Sequence, residues 1–290
     1  MNWEYLRSDE MKEAIEKSGG LCVLPLGCLE KHGNHLPLGT DSLEGRTAVE
    51  MAAELEYAVV FPTGMWFGDV MGAHSRINPK DPGFIGLNPH TLLTVLEELC
   101  DEIARNGFRK ILICNSHGGN KPLLSFFLRC QGYKQKNYAT MWTMTSDKTQ
   151  HNPELLLAYY KEHRAEYPML TDHDFDVLQH FIDMGGFGGG HADFNETARI
   201  MGAYPELVDT TRYEVESGLS THRADYLADL GVDCKGAWGA NYPNNFSGFS
   251  SEGCTKTLGE AHNLYSARRL ANIFKVLKED EECVNIATGK

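Results

Sequence analysis

Several things are scarce in this chain, and each scarcity narrows what it can be. No apolar run approaches the length needed to span a bilayer, and Met1 to Ser8 lacks the basic region, apolar core and small-residue cleavage site of a secretory signal. A soluble, cytoplasmic protein is expected. Positive charge is in deficit, 27 Lys and Arg against 40 Asp and Glu, for a formal charge of −13. That balance argues against nucleic acid or an anionic membrane surface as a partner and favours a small molecule. The eight cysteines (Cys22, Cys28, Cys100, Cys114, Cys130, Cys234, Cys254 and Cys283) form no C-x-x-C pair, and two lie in apparent core strands. Reduced thiols in an intracellular protein fit this pattern. No Pro/Ser/Gly-rich or charge-rich linker divides the 290 residues, and no internal repeat is visible. One large α/β domain over residues 1–290 is expected, with ample length to bury a core.

What is present concentrates in one stretch. The apolar run Leu21 to Leu26 reads as a buried strand, and Glu30-Lys31-His32-Gly33-Asn34-His35-Leu36-Pro37-Leu38-Gly39-Thr40-Asp41 follows it. In extended chain, side chains two apart project together, so Glu30 and His32 share a face. The two glycines and the proline after them make a turning loop, and Asp41 stands ahead of a helical pattern from Leu43 to Leu55, able to swing back toward that pair. Mixed oxygen and nitrogen donors suit zinc, manganese or iron(II). Taken alone, Asp41 is an ordinary helix N-cap and Glu30-x-His32 is a weak signal. Cys28, two residues before Glu30, could be a soft ligand but reads better as a small buried hydrophobe.

Strand and helix patterns alternate along the rest of the chain, which predicts a parallel sheet with helices on both faces. Asp9 to Lys17, closed by Gly19-Gly20, reads as a short helix, and Ala58 to Phe61 as a strand. The stretch Thr63 to Asn88 reads as a long loop of the kind used for binding, with His74 inside it. From Asn88 a helix is predicted with Leu92, Leu96, Leu99 and Ile103 on one face. The strand Lys110 to Cys114 runs into Asn115-Ser116-His117-Gly118-Gly119-Asn120 and then a helix. This places His117 beyond the carboxyl end of a strand, where open parallel sheets keep their ligands. A strand from Tyr138 to Thr145 and a helix from Pro153 to Arg164 follow. Gly185 to Gly190 is glycine-rich, so His191 sits at a tight or mobile flank, and a helix from Ala192 to Ala203 carries Glu196. Asp172-His173-Asp174 reads as a solvated capping turn rather than a ligand set. Trp66 and Trp142 either line a pocket or pack in the interior.

Three pieces in order, Glu30-x-His32-Gly33-x-His35-Leu36-Pro37-x-Gly39-x-Asp41, Asn115-x-His117-Gly118-Gly119-Asn120 and His191-Ala192-x-x-x-Glu196-Thr197, resemble the creatininase (creatinine amidohydrolase) family. Pro82-Gly83 and Gly236-Ala237-Trp238-Gly239 are weaker echoes. The resemblance implies a single three-layer αβα domain with a mostly parallel sheet, a pocket for two divalent metal ions, and a homo-oligomer such as a hexamer. It places Glu30 and His117 on one ion, His32 on the other, Asp41 across both, and His191 as the proton-transfer residue. In creatininases proper a glutamate stands two positions after the histidine matching His117, and here that position is Gly119. Glu196 is the candidate that completes the second site, and His35 is expected to order the loop.

Two divalent ions with Glu30, Asp41 and Glu196 leave one positive charge for a bridging hydroxide, which such a centre can generate near pH 7 instead of about 15.7. The expected activity is hydrolysis of a C–N bond in a small, possibly cyclic, amide by this metal-bound hydroxide, with zinc foremost and manganese or iron as alternatives. Lys31 in place of a common Gln, Asp81 to Ile85 before the Asn88 helix, and long segments at Thr211 to Cys234 and Asn241 to Thr257 point away from creatinine itself. The competing expectations are a deformylase or peptide-trimming member of the same family, and a non-catalytic metal-binding assembly protein.

Overall fold

The computed structural model describes residues 1–62, 67–70, 82–185, 190–234 and 236–290. Strands β1 (Leu21–Leu26), β2 (Val59–Val60), β3 (Lys110–Asn115) and β4 (Ala139–Met144) form one all-parallel sheet in the order β2-β1-β3-β4. Every residue of β1 and β3 is buried, so both faces of the sheet must be covered. Because successive side chains point to opposite faces, the two strands feed two separate cores. Cys22, Leu24, Leu26, Ile111 and Ile113 pack with Leu92, Leu96, Cys100 and Ile103 of one helix and Leu124 and Phe127 of another. Leu21, Val23, Leu112 and Cys114 face the other way, onto Ala48, Val49, Ala52, Leu270 and Phe274. The fold is α/β, a parallel sheet between two helical layers.

The α-helices among the described residues are α1 (Met11–Lys17), α2 (Thr40–Leu55), α3 (Pro89–Arg105), α4 (Asn120–Gln131), α5 (Pro153–Glu162), α6 (Asp172–Asp183), α7 (Phe194–Ala203), α8 (Asp225–Asp229), α9 (Ala237–Asn241), α10 (Lys256–Glu279) and α11 (Glu282–Thr288). Helices α1 to α5 and α7 fall close to the expected spans, whereas the sequence patterns assign no span to α6 and α8 to α11; three details are informative. Helix α1 starts at Met11, and the Glu10 carboxylate accepts from the Arg7 amide instead of a side chain capping the helix. In α3 it is Cys100 that points inward, while Leu99 stays at the half-buried edge. Asp174 does cap α6 in a capping box with Thr171, but it is buried rather than solvated, because the Thr255 and Thr257 hydroxyls at the start of α10 also donate to it. No helix among the described residues is long and apolar enough to cross a membrane.

Two features of this frame position the site. From β1 the chain moves outward to β2 and then returns to place β3 on the other side of β1. The loops after β1 and β3 therefore diverge, and a crevice opens between them at the carboxyl edge of the sheet. The register sets Leu26 level with Asn115, so both loops leave at the same height. Helix α7 is held against α10 backbone to backbone. A Cβ on Gly259 would lie 2.6 Å from the Gly202 nitrogen, so only glycine permits that approach.

Candidate metal centre

The crevice gathers every site residue expected from the sequence. Glu30 and His32 lie on the stretch after β1, Asp41 in the first turn of α2, His117 just beyond β3, His191 ahead of α7 and Glu196 in its first turn. Asp41 is not the helix cap: Gly39 takes that position, and the Asp41 carboxylate turns into the crevice. His117 Nδ1 is 3.1 Å from Glu30 Oε1 and 3.2 Å from Asp41 Oδ2. His32 Nε2 faces Asp41 Oδ1 at 3.5 Å and Glu196 Oε2 at 3.6 Å, while His191 Nδ1 stands 3.6 Å from Glu30 Oε1. Asp41 thus has one oxygen toward each half of the cluster. The site opens into a cavity of about 470 Å³ whose wall includes Asp69, Pro122 and Trp238. His74 and Trp66 lie outside the described residues, as do positions 186–189 of the glycine-rich flank. Trp142 packs against the core on the α3 side.

Each of the three histidines is anchored from behind by a main-chain carbonyl. His117 Nε2 pairs with the Asp69 carbonyl at 3.2 Å, His32 Nδ1 with that of Glu30 at 3.1 Å, and His191 Nε2 with that of Lys31 at 2.7 Å. A carbonyl can only accept, so each outer nitrogen carries the hydrogen and each inner nitrogen faces the carboxylates. Metal-binding imidazoles are held in this way. His35 is different: its Nε2 pairs with Thr197 Oγ1 at 3.0 Å, and its ring packs beside Tyr213 and Phe246. It ties the loop to α7, as expected.

Burial and charge pull against each other here. Burial opposes ionisation of Glu30, yet His117 and His191 outweigh it and hold the carboxyl at about 2. Burial also opposes a charged His32, but Asp41 and Glu196 raise it to about 10. His117 is raised well above its ordinary value by Glu30 and Asp41 against the same burial, and Asp41 is lowered by His32 and His117. The same charge balance that favours protonated His32 and His117 beside these buried carboxylates would favour a bound cation in their place. His35 has no such neighbour, so burial, with His32 nearby, lowers it to about 4.

The donors fit a divalent ion. His32 Nε2 is fully buried and has no hydrogen-bond partner, a state that native structures rarely leave unexplained. Ligand atoms at ~2.1 Å from a tetrahedral ion lie about 3.4 Å apart, close to the spacing from this nitrogen to Asp41 and Glu196. Two further sets, Cys28–Glu30–Asp41–His117 and Glu30–His32–His191, also have converging ligand atoms.

The profile of the creatininase (creatinine amidohydrolase) family matches residues 4–276. The chain belongs to the creatininase family. A creatinine amidohydrolase of Pseudomonas putida is 27% identical over 199 residues, covering 67% of this chain and 69% of that protein. A 3-dehydro-scyllo-inosose hydrolase of Thermotoga maritima is 28% identical over 39% of this chain and 36% of its own length. A crystal structure of creatinine amidohydrolase superposes with a TM-score of 0.70 at 21% identity, over 96% of this chain and 98% of that one. Structures of a creatininase variant of Zn-Zn type and of a manganese creatininase cover 96% of this chain with TM-scores of 0.69 and 0.65, at 20% identity each, and 98% and 99% of their own chains.

Within this creatininase-family site, several contributors were not legible as site residues. Asp69 and Lys31 act through main-chain carbonyls, which leave no side-chain signature. Cys28 is buried as expected of a small hydrophobe, but its thiol also donates to Asp41 Oδ2 at 3.0 Å. Burial, Asp41 and Glu30 together raise that thiol well above its ordinary value, which keeps it a donor. Trp238, noticed only as part of a weak echo, sets its ring edge-on to His191 with centroids 5.5 Å apart. Ala192 adopts φ +57°, which costs a non-glycine residue about 1–3 kcal/mol; its amide donates to Glu196 Oε2 at 2.6 Å.

Proposed function

We propose that this creatininase-family chain is a two-metal hydrolase that cleaves a C–N bond of a small amide. Glu30, His117 and Asp41 would hold one ion, and His32, Asp41 and Glu196 the other. The observation that carries the second half is the orphaned His32 Nε2 facing two carboxylates. The position two after His117 offers no alternative, since a Cβ on Gly119 would lie 2.4 Å from His117 Nε2. Zinc and manganese forms of related structures support divalent ions here, with zinc the first candidate.

When bound, two such ions supply a water acidic enough to ionise near neutral pH and polarise a carbonyl oxygen. The remaining chemistry belongs to side chains. Water adds to the amide carbon, the C–N bond breaks, and the products are an acid and an amine. His191, held by the Lys31 carbonyl at Nε2, turns Nδ1 into the site 3.6 Å from Glu30 Oε1, where it would take a proton from the water and return it to the departing nitrogen. Trp238 and Pro122 give the cavity a flat apolar wall suited to a small planar group. Gly119 also favours a second reading in the same class, a deformylase-type or peptide-trimming hydrolase. A homo-oligomer remains part of the proposal, supported by the exposed Leu219, Tyr226, Leu230 and Val232 on one stretch of chain.

The test is elemental analysis of chelator-free protein, wild type beside Glu196→Ala, with a panel of lactams, formamides and small amides. The expected result is two ions per wild-type chain, about one in the variant, and metal-dependent turnover of a panel member. One ion or fewer in the wild type would sink the two-metal reading. Two ions without turnover would favour a metal-binding assembly protein instead.

A further inference from the structure

The two helices that aim carboxylates at His32 each carry, three residues further on, one half of a buried ion pair. On α2 Asp41 is followed by Glu44, and on α7 Glu196 is followed by Arg199. Three residues is just under one helical turn, so each pair member shares a helix face with its carboxylate. Arg199 Nη1 lies 2.6 Å from Glu44 Oε2, with the side chains 4% and 1% exposed. Arg199 Nη2 also donates to Thr145 Oγ1, just past β4, at 3.2 Å. Its carbonyl accepts from Asn263 Nδ2 of α10 at 2.8 Å. The pair thus links α2 to α7 directly behind the cluster, yet neither residue lines the cavity.

Stability alone does not account for it. Desolvating two charges offsets most of their attraction, and apolar residues of similar volume commonly do as well in such a place. What apolar residues lack is a short charged contact: Arg199 Nη1 sits against Glu44 Oε2 although neither Glu44 oxygen nor Arg199 Nε finds a hydrogen-bond partner, so the pair fixes the distance between α2 and α7 without satisfying its own polar atoms. We propose that Glu44 and Arg199 are positioning residues that hold Asp41 and Glu196 at the separation required to share the ion of His32. The inference rests on the reading of Asp41 and Glu196 as ligands. Through it, the spacing of the second site is set by a contact between helices rather than by the loops that surround the cavity.

The experiment titrates chelator-stripped, full-length protein with cobalt(II), following visible absorption and bound metal per chain, with the Tm of the stripped protein as the measure of folding. Wild type, Glu44→Leu/Arg199→Met, Glu44→Gln and Glu196→Ala are compared. The double variant is expected to keep the stripped-protein Tm, because apolar side chains replace the pair. It should bind the second cobalt about 10–100-fold more weakly, the usual effect of disturbing groups that orient ligands, with an altered visible spectrum. Glu44→Gln, which preserves shape, should weaken the same site and serves if the double variant does not fold. Unchanged affinity and spectrum for both ions in these variants, with one ion lost in Glu196→Ala, would overturn the positioning role while leaving the ligand assignment intact. Two ions retained in Glu196→Ala would remove the premise and the proposal with it.

Discussion

Replacing Gly119 with alanine adds a single methyl group against the ring of His117. The backbone tolerates it, since φ −62° and ψ −26° are ordinary helical values. A glycine-to-alanine change at such a position gains about 0.4–1 kcal/mol through the unfolded chain. The space does not tolerate it: the new Cβ would lie 2.4 Å from His117 Nε2 and 2.7 Å from the Asp69 carbonyl oxygen. Overpacking of this kind costs about 1–3 kcal/mol, so the clash outweighs the backbone gain. A net loss near 1 kcal/mol lowers Tm by about 2–4 °C in a protein of this size. The functional effect is larger. Relieving the overlap moves the imidazole by roughly 1 Å, off the Asp69 carbonyl and away from Glu30 and Asp41, and a misplacement of that order can cost about 100-fold in rate. Scanning calorimetry on stripped protein, metal content and kcat of the loaded enzyme test the three parts separately. A Gly119→Ala protein with unchanged Tm, metal content and kcat would refute the claim that this glycine exists to make room for His117.

His191→Asn should lower kcat by about 10²–10⁴-fold while both ions stay bound; loss of an ion would make His191 a ligand instead. Loading of stripped protein at pH 7 should release at least one proton, from His32, which Asp41 and Glu196 raise to about 10 against burial and which must be neutral to ligate, with His117 shifted in the same direction and bound water adding to the release. Calorimetric titration in buffers of different ionisation enthalpy measures this, and a release near zero would contradict the charge state described. Metal affinity should accordingly tighten as pH rises. The stability of the stripped protein follows the same sign: the contribution of His32 is complete below its unfolded value of 6.5 and is lost as pH rises toward about 10. That of Glu30 is complete above 4.5 and lost as pH falls toward about 2, so denaturation midpoints across pH should show both edges in stripped protein.

Much of this protein is legible in one dimension because the relevant physics is local. Buried runs such as Leu21 to Leu26 and Lys110 to Cys114 read as strands covered on both sides, and the helical patterns between them predict a parallel sheet. The histidines and carboxylates of the three motifs offer metal donors by residue type, but their roles, and position 119 as the place of a donor that glycine cannot supply, are legible only through the resemblance to the creatininase family. What the sequence could not contain is whatever depends on residues far apart in the chain. The order β2-β1-β3-β4 opens the crevice between β1 and β3, and no pattern within either strand encodes it. Orientation of the three imidazoles is set by the carbonyls of Glu30, Lys31 and Asp69, groups that every residue possesses and that tertiary structure alone selects. Asp41 is a plausible helix cap by sequence and a buried carboxylate by structure, since the return of the loop decides which way it turns. Glu44 and Arg199 read as ordinary charges on two separate helices. Only the packing of α2 against α7 makes them a pair, because a salt bridge is a fact about distance in space.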